Sequence, residues 1–268
     1  LRESNRRSRI PGRVNARNAT VSAQANKTTD ATTDIVNISI LNLNGVALSG
    51  IVDALPDDLP IPVVPPFDTV ATASIAGDTE AFLGKGADVR ASGTLSLSAN
   101  STNTANSNNL SAGATLVNVA DTASHATAGG STQVHIDEGA SMDVGAITTT
   151  ANSNNDATAG ADYAGAAGVN IALADVVGKT DHLTAAYLGP KKGADPSADP
   201  STVLRIDTGG LNLRATSTND ATVGQITIDA SLVTVEKVKP EANAGGATRA
   251  HVGGGFDVFA DNVGATAD

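Results

Sequence analysis

The chain has 268 residues, with 17 Lys and Arg against 28 Asp and Glu, and a net charge of −11. Hydrophobic residues make up 40% of the chain but aromatic residues only 2%, so a core must be built from Ala, Val, Leu and Ile. The sequence has no cysteine, which excludes disulfides and thiolate metal sites. No apolar stretch approaches the length of a transmembrane segment, and residues 1–20 lack the apolar core of a signal peptide.

Residues 1–17 form a basic N-terminal segment. It holds six arginines and one glutamate, a net charge of +5, so the other 251 residues carry −16. We predict an arm that is either disordered or docked on a neighbouring subunit or an anionic surface. Nucleic acid is not an expected partner, because the arm has no aromatic residue to stack on bases and the acidic body would repel phosphate.

An alternating strand that ends in alanine recurs along residues 18–268. The five copies lie at 21–25, 95–99, 147–151, 211–215 and 256–260. Apolar residues occupy every second position, which predicts strands and almost no helix. The terminal alanines follow one another at unequal intervals of 74, 52, 64 and 45. This pattern indicates an internal repeat whose units accept insertions.

Two further blocks recur between these strands in a fixed order. One block spans 81–84, 134–137, 186–189 and 250–253, and the other spans 112–120, 164–172 and 228–235. In the first block a single position is filled by Phe82, His135, Tyr187 and His251. Interchange of Phe, Tyr and His is typical of a packing position, so we expect neither a metal ligand nor a catalytic histidine there.

Two proline-rich insertions interrupt the repeat, at 54–68 and 189–201. Proline cannot donate to a strand ladder, so both segments are predicted to project from the sheet as loops. Their acids, Asp57, Asp58, Asp195 and Asp199, could hold calcium through carboxylate oxygens. Neither loop has a calcium-loop spacing, so solvated acids are favoured and no cofactor is expected, with calcium left open.

The predicted fold is all-β: a parallel β-helix or β-solenoid of irregular repeats with open ends, over 18–268. Sandwiches and propellers fill wider cores with large aromatics, whereas a solenoid tolerates irregular loops. At about 25 residues per coil, a 52-residue unit would be about two coils. We expect alanine and aliphatic residues inside and ladders of Asn, Ser and Thr outside. An antiparallel meander with the same repeat is the alternative.

The repeat also carries a family resemblance. An Ala-Gly-rich Val-Asn-Val/Ile strand precedes an Ala-Phe/Tyr/His-Leu/Ile-Gly block and an alternating strand ending in alanine. This succession, over about residues 19–268, resembles the repeats of large bacterial leukotoxin-type and haemagglutinin-type filamentous adhesins. The resemblance implies a secreted protein of the cell surface: a structural or adhesive stalk whose partner is a host or cell-surface receptor.

Both termini lie at the same phase of the repeat, which leaves two expectations for the whole. The chain is either a segment of a giant adhesin stalk or a subunit that stacks on copies of itself head-to-tail. The residues predicted at such a junction lie in the first and last alternating strands. They are Val21, Ala23, Ala25, Phe256, Val258, Phe259 and Ala260.

We predict that the protein is not an enzyme. A β-helix acting on polysaccharides is the catalytic alternative, but such enzymes need convergent charged groups and aromatic faces for sugar rings. Here aromatic residues are few and the acids are scattered among Ser and Thr. An ice-binding surface would need a regular Thr array, whereas the outward positions of the alternating strand hold Ser, Thr, Asn and Asp.

Overall fold

The computed structural model describes residues 6–10, 13–38, 41–43, 69–137, 139–189, 204–253 and 256–268. These ranges contain thirteen strands and no helix, as the alternating pattern predicted. The strands are β1 (Arg6–Ile10), β2 (Arg13–Ala16), β3 (Ala19–Ile38), β4 (Leu41–Leu43), β5 (Thr69–Ile75), β6 (Asp78–Leu83), β7 (Asp88–Ile136), β8 (Ser141–Leu188), β9 (Leu204–Thr208), β10 (Leu211–Asp229), β11 (Val233–Val252), β12 (Phe256–Ala260) and β13 (Val263–Ala267).

All thirteen strands belong to one open sheet. Its main path runs β1-β6-β7-β8-β10-β13, with the other strands pairing beside it. Every pairing among the described strands is parallel. The antiparallel meander is therefore excluded for this part of the chain.

The two longest strands fold back on themselves. β7 has 49 residues and would extend about 160 Å if it were straight. However, the Ser101 and Thr132 hydroxyl oxygens lie 2.6 Å apart, and Ser124 donates a 2.9 Å hydrogen bond to the hydroxyl of Ser107. An outgoing arm and a returning arm therefore face each other across a narrow core. We call one outgoing arm together with its returning arm a layer.

Four layers stack along the sheet, and their register shows that one repeat unit is one layer. Leu95 pairs with Ile147, and Ile136 pairs with Leu188, so the numbers of paired neighbours differ by 52 at both ends of β7. The prediction of two coils in each unit was therefore wrong. One long arm running out and one running back take up the whole unit, so no second coil fits within it.

The register also corrects two of the five predicted copies of the alternating strand. Ala99, Ala151 and Ala215 align as predicted, but the first layer contributes Ala23 instead of Ala25. At the C-terminal end, Ala267 pairs with Ala215, which restores the interval of 52. The predicted residue, Ala260, pairs with Thr208 instead. A slip of two residues keeps every side chain on the same face, so alternation alone cannot detect it.

The other sequence blocks align as predicted. Phe82, His135, Tyr187 and His251 occupy equivalent positions in four successive layers. Each ring therefore lies beside its equivalent in the next layer, as expected for a repeat.

The register also locates the two insertions. The offset between paired residues falls from 76 at Leu41 to 53 at Thr69, so one insertion lies between β4 and β5. The offset rises from 52 at the end of β8 to 64 at β9, which marks the other insertion. Residues 54–68 and 190–201 of these predicted loops are outside the described ranges.

Part of the basic N-terminal segment lies in the sheet. β1 pairs with β6, and β2 pairs with the start of β7, both in parallel register. β2 opens the first layer, while β1 adds one strand beyond β6. At least nine residues of the arm are thus aligned with the repeat by their backbones.

The core has a broad aliphatic end and a narrow middle. The broad end is lined by large buried residues from several layers: Leu83, Leu95, Leu97, Ile136, Ile147, Leu188 and Leu213. The narrow middle is lined mainly by alanines such as Ala105, Ala126 and Ala157. The predicted core of Ala, Val, Leu and Ile with closely spaced walls is confirmed.

Polar ladders run through the inside of the stack, which corrects the expectation that they lie outside. Asn103 donates a 2.6 Å hydrogen bond to Asn155, and Asn155 donates a 2.8 Å bond to Asn219. Asn103 and Asn155 are fully buried. Because equivalent side chains lie one strand spacing apart, each amide can satisfy the next one without water. An outer ladder exists too, since Asn152 donates to Asn100 over 2.9 Å.

The Asn155→Ala substitution tests the inner ladder. It leaves the amide of Asn103 without its acceptor and the carbonyl of Asn219 without its donor, so we expect a loss of about 1–3 kcal/mol in the free energy of unfolding. Urea denaturation measures this quantity. Asn154→Ala is the matched control, because Asn154 is exposed on the same strand and should change stability by less than about 0.5 kcal/mol.

The Gly130→Ala substitution tests the close approach of the first two layers. Gly130 has φ of +103°, and a Cβ there would lie 2.3 Å from the carbonyl oxygen of Gly77. We expect a loss of more than about 1 kcal/mol in unfolding free energy. Gly224→Ala is the control, because its Cβ would meet no atom within 4 Å. Equal stability of the two variants would contradict this packing.

Candidate functional site

The two ends of the stack present strand edges, and they are the candidate assembly site. Within the described ranges, β3 pairs only with β7, and β11 pairs only with β8. β10 pairs with β8 along its length but with β13 only over residues 211–215. Edges of this kind expose N–H and C=O groups and are templates for adding another strand.

The predicted N-terminal junction residues lie in β3 with their side chains in the core. Val21, Ala23 and Ala25 are all buried. Their pairing partners are Leu97, Ala99 and Ser101 of β7. At this end the three residues can therefore offer a neighbour only their backbone, because their side chains already pack inside the first layer.

The predicted C-terminal junction residues lie in β12, at the opposite end of the stack. Val258 and Ala260 are half-buried and pack against the broad aliphatic core, while Phe259 is 56% exposed. The backbone of Phe256 pairs with Leu204, and its side chain is outside what the structure describes. The structure thus places the two predicted sets at opposite ends of the stack.

The C-terminal end also has an apolar surface that the sequence pattern did not reveal. It is formed by five exposed residues at the far tip of the last layer: Ile226, Ile228, Leu232, Val233 and Val235. Leu232 is 91% exposed. Val233 aligns with Val169 of the layer before, so the repeat alone cannot distinguish a terminal position from an internal one. In the sequence, this surface is marked by the β-branched residues of the run at 226–235.

The N-terminal segment and the C-terminal residues have opposite charge. Residues 1–17 carry +5, and β1 and β2 place part of this segment at the N-terminal end of the stack. Residues 216–268 contain seven acidic and three basic side chains. Contact between the ends of two copies would therefore bring complementary charges together.

An aromatic column runs along one side of the stack. It consists of the rings of Phe82, His135, Tyr187 and His251, whose neighbouring centroids lie 5.0, 5.1 and 5.2 Å apart. The rings are close to parallel, with interplanar angles of 8°, 5° and 9°. Each ring comes from a successive layer, so the column spans all four. The prediction of a packing position is confirmed.

His135 is held between two carboxylates within this column. Its Nδ1 is 2.8 Å from Oδ1 of Asp137, and its Nε2 is 2.9 Å from Oε1 of Glu80. Burial of the ring lowers its pKa, but the hydrogen bonds and charges of Asp137 and Glu80 outweigh burial, so the pKa of His135 is raised above 6.5.

His182 has the opposite environment, inside the narrow core. Its Nε2 is 2.9 Å from the hydroxyl of Thr132, and its Nδ1 is 3.2 Å from the carbonyl oxygen of Gly129. Burial lowers the pKa of His182 below 6.5, so the ring is neutral at pH 7. Nδ1–H then donates to Gly129, and Nε2 accepts from Thr132. The Thr132 oxygen also contacts the hydroxyl of Ser101 at 2.6 Å, which continues the polar network across the core.

Among the residues that the structure describes, the remaining candidates form no metal-binding cluster. His125 Nε2 lies 3.8 Å from Asp175 near the surface. Across the described ranges, no three His, Asp or Glu side chains are placed to hold a metal ion. The loop acids Asp57, Asp58, Asp195 and Asp199 lie outside those ranges. The same ranges contain no helix with the length and apolarity needed to cross a membrane.

Comparison with known proteins adds no relative: no family model, curated protein or solved structure matches this chain. Its repeat, its strand edges and its charges are therefore the basis for assigning a function. None of these features depends on a particular receptor or substrate.

The Thr132→Val substitution tests the polar network around His182. It removes the hydroxyl that bonds to both Ser101 and His182 while keeping the side-chain shape, so we expect a loss of about 1–3 kcal/mol in the free energy of unfolding. Denaturant titration at neutral pH gives this value. Thr102→Val, on the exposed face of the same layer, is the control, and an equal loss there would contradict the assignment.

Proposed function

We propose that this chain is a β-solenoid and a non-catalytic structural component of an extracellular bacterial fibre. Copies stack head-to-tail through their open β-edges. The observation that carries the proposal is the continuous in-register parallel pairing of four layers, which ends at strand edges with no partner among the described strands.

The repeat supports a junction that copies the contacts inside the chain. Ala23, Ala99, Ala151 and Ala215 form one column. A second copy would present its own β3, with the same alternation, to the C-terminal edge of the first. The N–H groups of Leu211 and Ser217 donate hydrogen bonds to the carbonyl oxygens of Asn262 and Asp268. β10 therefore already directs hydrogen bonds to the C-terminal side of the stack.

The direction of stacking follows from the parallel strands. Parallel pairing requires the same chain direction in both copies, so the N-terminal end of one copy meets the C-terminal end of another. A heterologous contact of this kind does not close on itself and produces an open filament. The positive charge of residues 1–17 and the negative charge of residues 216–268 favour contact between these two segments.

The extracellular and adhesive parts of the proposal rest on the sequence. The repeat resembles those of leukotoxin-type and haemagglutinin-type filamentous adhesins, which implies display at the cell surface and a receptor there. The absence of cysteine and the scarcity of aromatic residues are compatible with such a stalk. In this role the protein extends a stalk by repeating the same layer. The interaction that holds the stalk together is backbone hydrogen bonding between layers.

Electron microscopy of the isolated chain tests the self-assembly. We expect filaments that lengthen with protein concentration and shorten at high salt, because screening weakens the attraction between the charged ends. Isolated single particles at all concentrations and salt conditions would overturn the subunit proposal. They would be consistent with a segment of a longer adhesin stalk.

Charge reversal tests which end of the chain takes part. The double substitution Arg7→Glu and Arg13→Glu, in β1 and β2, should raise the concentration needed for filaments about ten-fold, a change worth about 1.4 kcal/mol per contact. Lys85→Glu with Lys179→Glu is the matched control, because it changes the net charge equally but outside the N-terminal segment. An equal effect of the two pairs, measured by sedimentation, would contradict a junction at the N-terminal end.

A further inference from the structure

His135 lies at a point where three layers meet. Glu80 belongs to β6 at the end of the first layer, and His135 belongs to the returning arm of the second. Asp137 follows directly in the turn that leads to the third layer, whose Tyr187 stacks on the His135 ring at 5.1 Å. A single imidazole therefore contacts groups from three consecutive layers.

The geometry of this contact fits an imidazolium. Both ring nitrogens lie within 2.9 Å of a carboxylate oxygen. A neutral imidazole has one N–H and one lone pair, so one of these two contacts would place a lone pair against a carboxylate. The imidazolium donates on both sides and brings a positive charge between two negative charges. Phe82 and Tyr187 cover the two faces of the ring, an arrangement that also favours a cation.

We propose that His135 is a proton-controlled staple of the layer stack: its imidazolium joins the first layer to the turn before the third through Glu80 and Asp137, and loss of the proton releases this connection. The carboxylates would then face a neutral ring that can donate to only one of them. The inference goes beyond head-to-tail assembly, because it concerns how firmly the layers within one chain are held together.

The groups around His135 determine the direction of the pH response. The titratable groups that face it are Glu80 from β6, Asp137 from the following turn and Tyr187 from β8, with His251 of β11 beyond the Tyr187 ring. Burial and the nearby acids raise the pKa of Tyr187 as well, so its phenol stays neutral. Among the described side chains, the charges in contact with the imidazole are thus the two acids, and both favour the protonated form.

The sign of the stability change follows from linkage. The folded-state pKa of His135 is raised above 6.5, so the stabilisation is fully present below pH 6.5 and is lost as the pH rises through the folded-state pKa. His182, with its lowered pKa, contributes in the opposite sense: its stabilisation is present above 6.5 and is lost as the pH falls. The two histidines can therefore be distinguished by the direction of their effect.

The first experiment is an NMR titration of the histidine ring signals in the full chain. We expect His135 to titrate above 6.5, and we expect Glu80→Gln and Asp137→Asn each to shift its titration to lower pH. A packing role alone would not produce these shifts. A His135 that titrates at or below 6.5, or that is insensitive to both substitutions, would overturn the proposal.

The second experiment measures stability against pH in the His135→Phe variant, which places in this layer the ring that the first layer has at Phe82. We expect the difference in unfolding midpoint between wild type and variant to become less favourable to the wild type as the pH rises from 6 to 9. His125→Phe, near the surface and 3.8 Å from Asp175, is the matched His-to-Phe change outside the aromatic column, and the pH dependence is compared between the two variants. A pH-independent difference for His135→Phe would overturn the staple. Association of copies would add to the measured stability, so both measurements are made at protein concentrations below filament formation, where their outcome is independent of it.

Discussion

The in-register parallel pairing between layers is the constraint on which the rest of the structure depends. It places each residue directly beside its equivalent in the next layer, about 4.8 Å away. Each side chain therefore contacts the equivalent side chains of the neighbouring layers. Every position must hold residues that pack or hydrogen-bond well with their own kind. Amides meet this requirement because they both donate and accept, as in the Asn103, Asn155 and Asn219 ladder. Planar rings meet it as well, which explains the aromatic column.

The narrow core follows from the same constraint. Two arms that lie close enough for Ser107 and Ser124 to share a 2.9 Å hydrogen bond leave no room for large side chains. Alanine fills this space, and Ser, Thr and Asn are accepted wherever a neighbour satisfies them. Much of the interior is therefore polar, and its cohesion depends on continuation of the ladders from layer to layer. The last layer is the least enclosed, since Asn219 is only half-buried.

Two histidines show how the position within a layer determines the pKa of the side chain. His135 lies among acids that outweigh the effect of its burial, whereas His182 lies among hydroxyl and carbonyl groups that leave burial dominant. The same side chain thus has a raised pKa in one place and a lowered pKa in the other. The proposed fibre component would combine a repetitive backbone with a few positions that respond to pH.

The sequence by itself determined the strand content, the aliphatic nature of the core and the equivalence of Phe82, His135, Tyr187 and His251, because these depend on local alternation and on a strong motif. It could not determine that Ala23 rather than Ala25 joins the alanine column, because a shift of two residues preserves the pattern. The layer length, the polar interior and the Glu80–His135–Asp137 contact were decided by tertiary structure alone. They arise from groups up to 64 residues apart, which only the folding and stacking of the layers bring together.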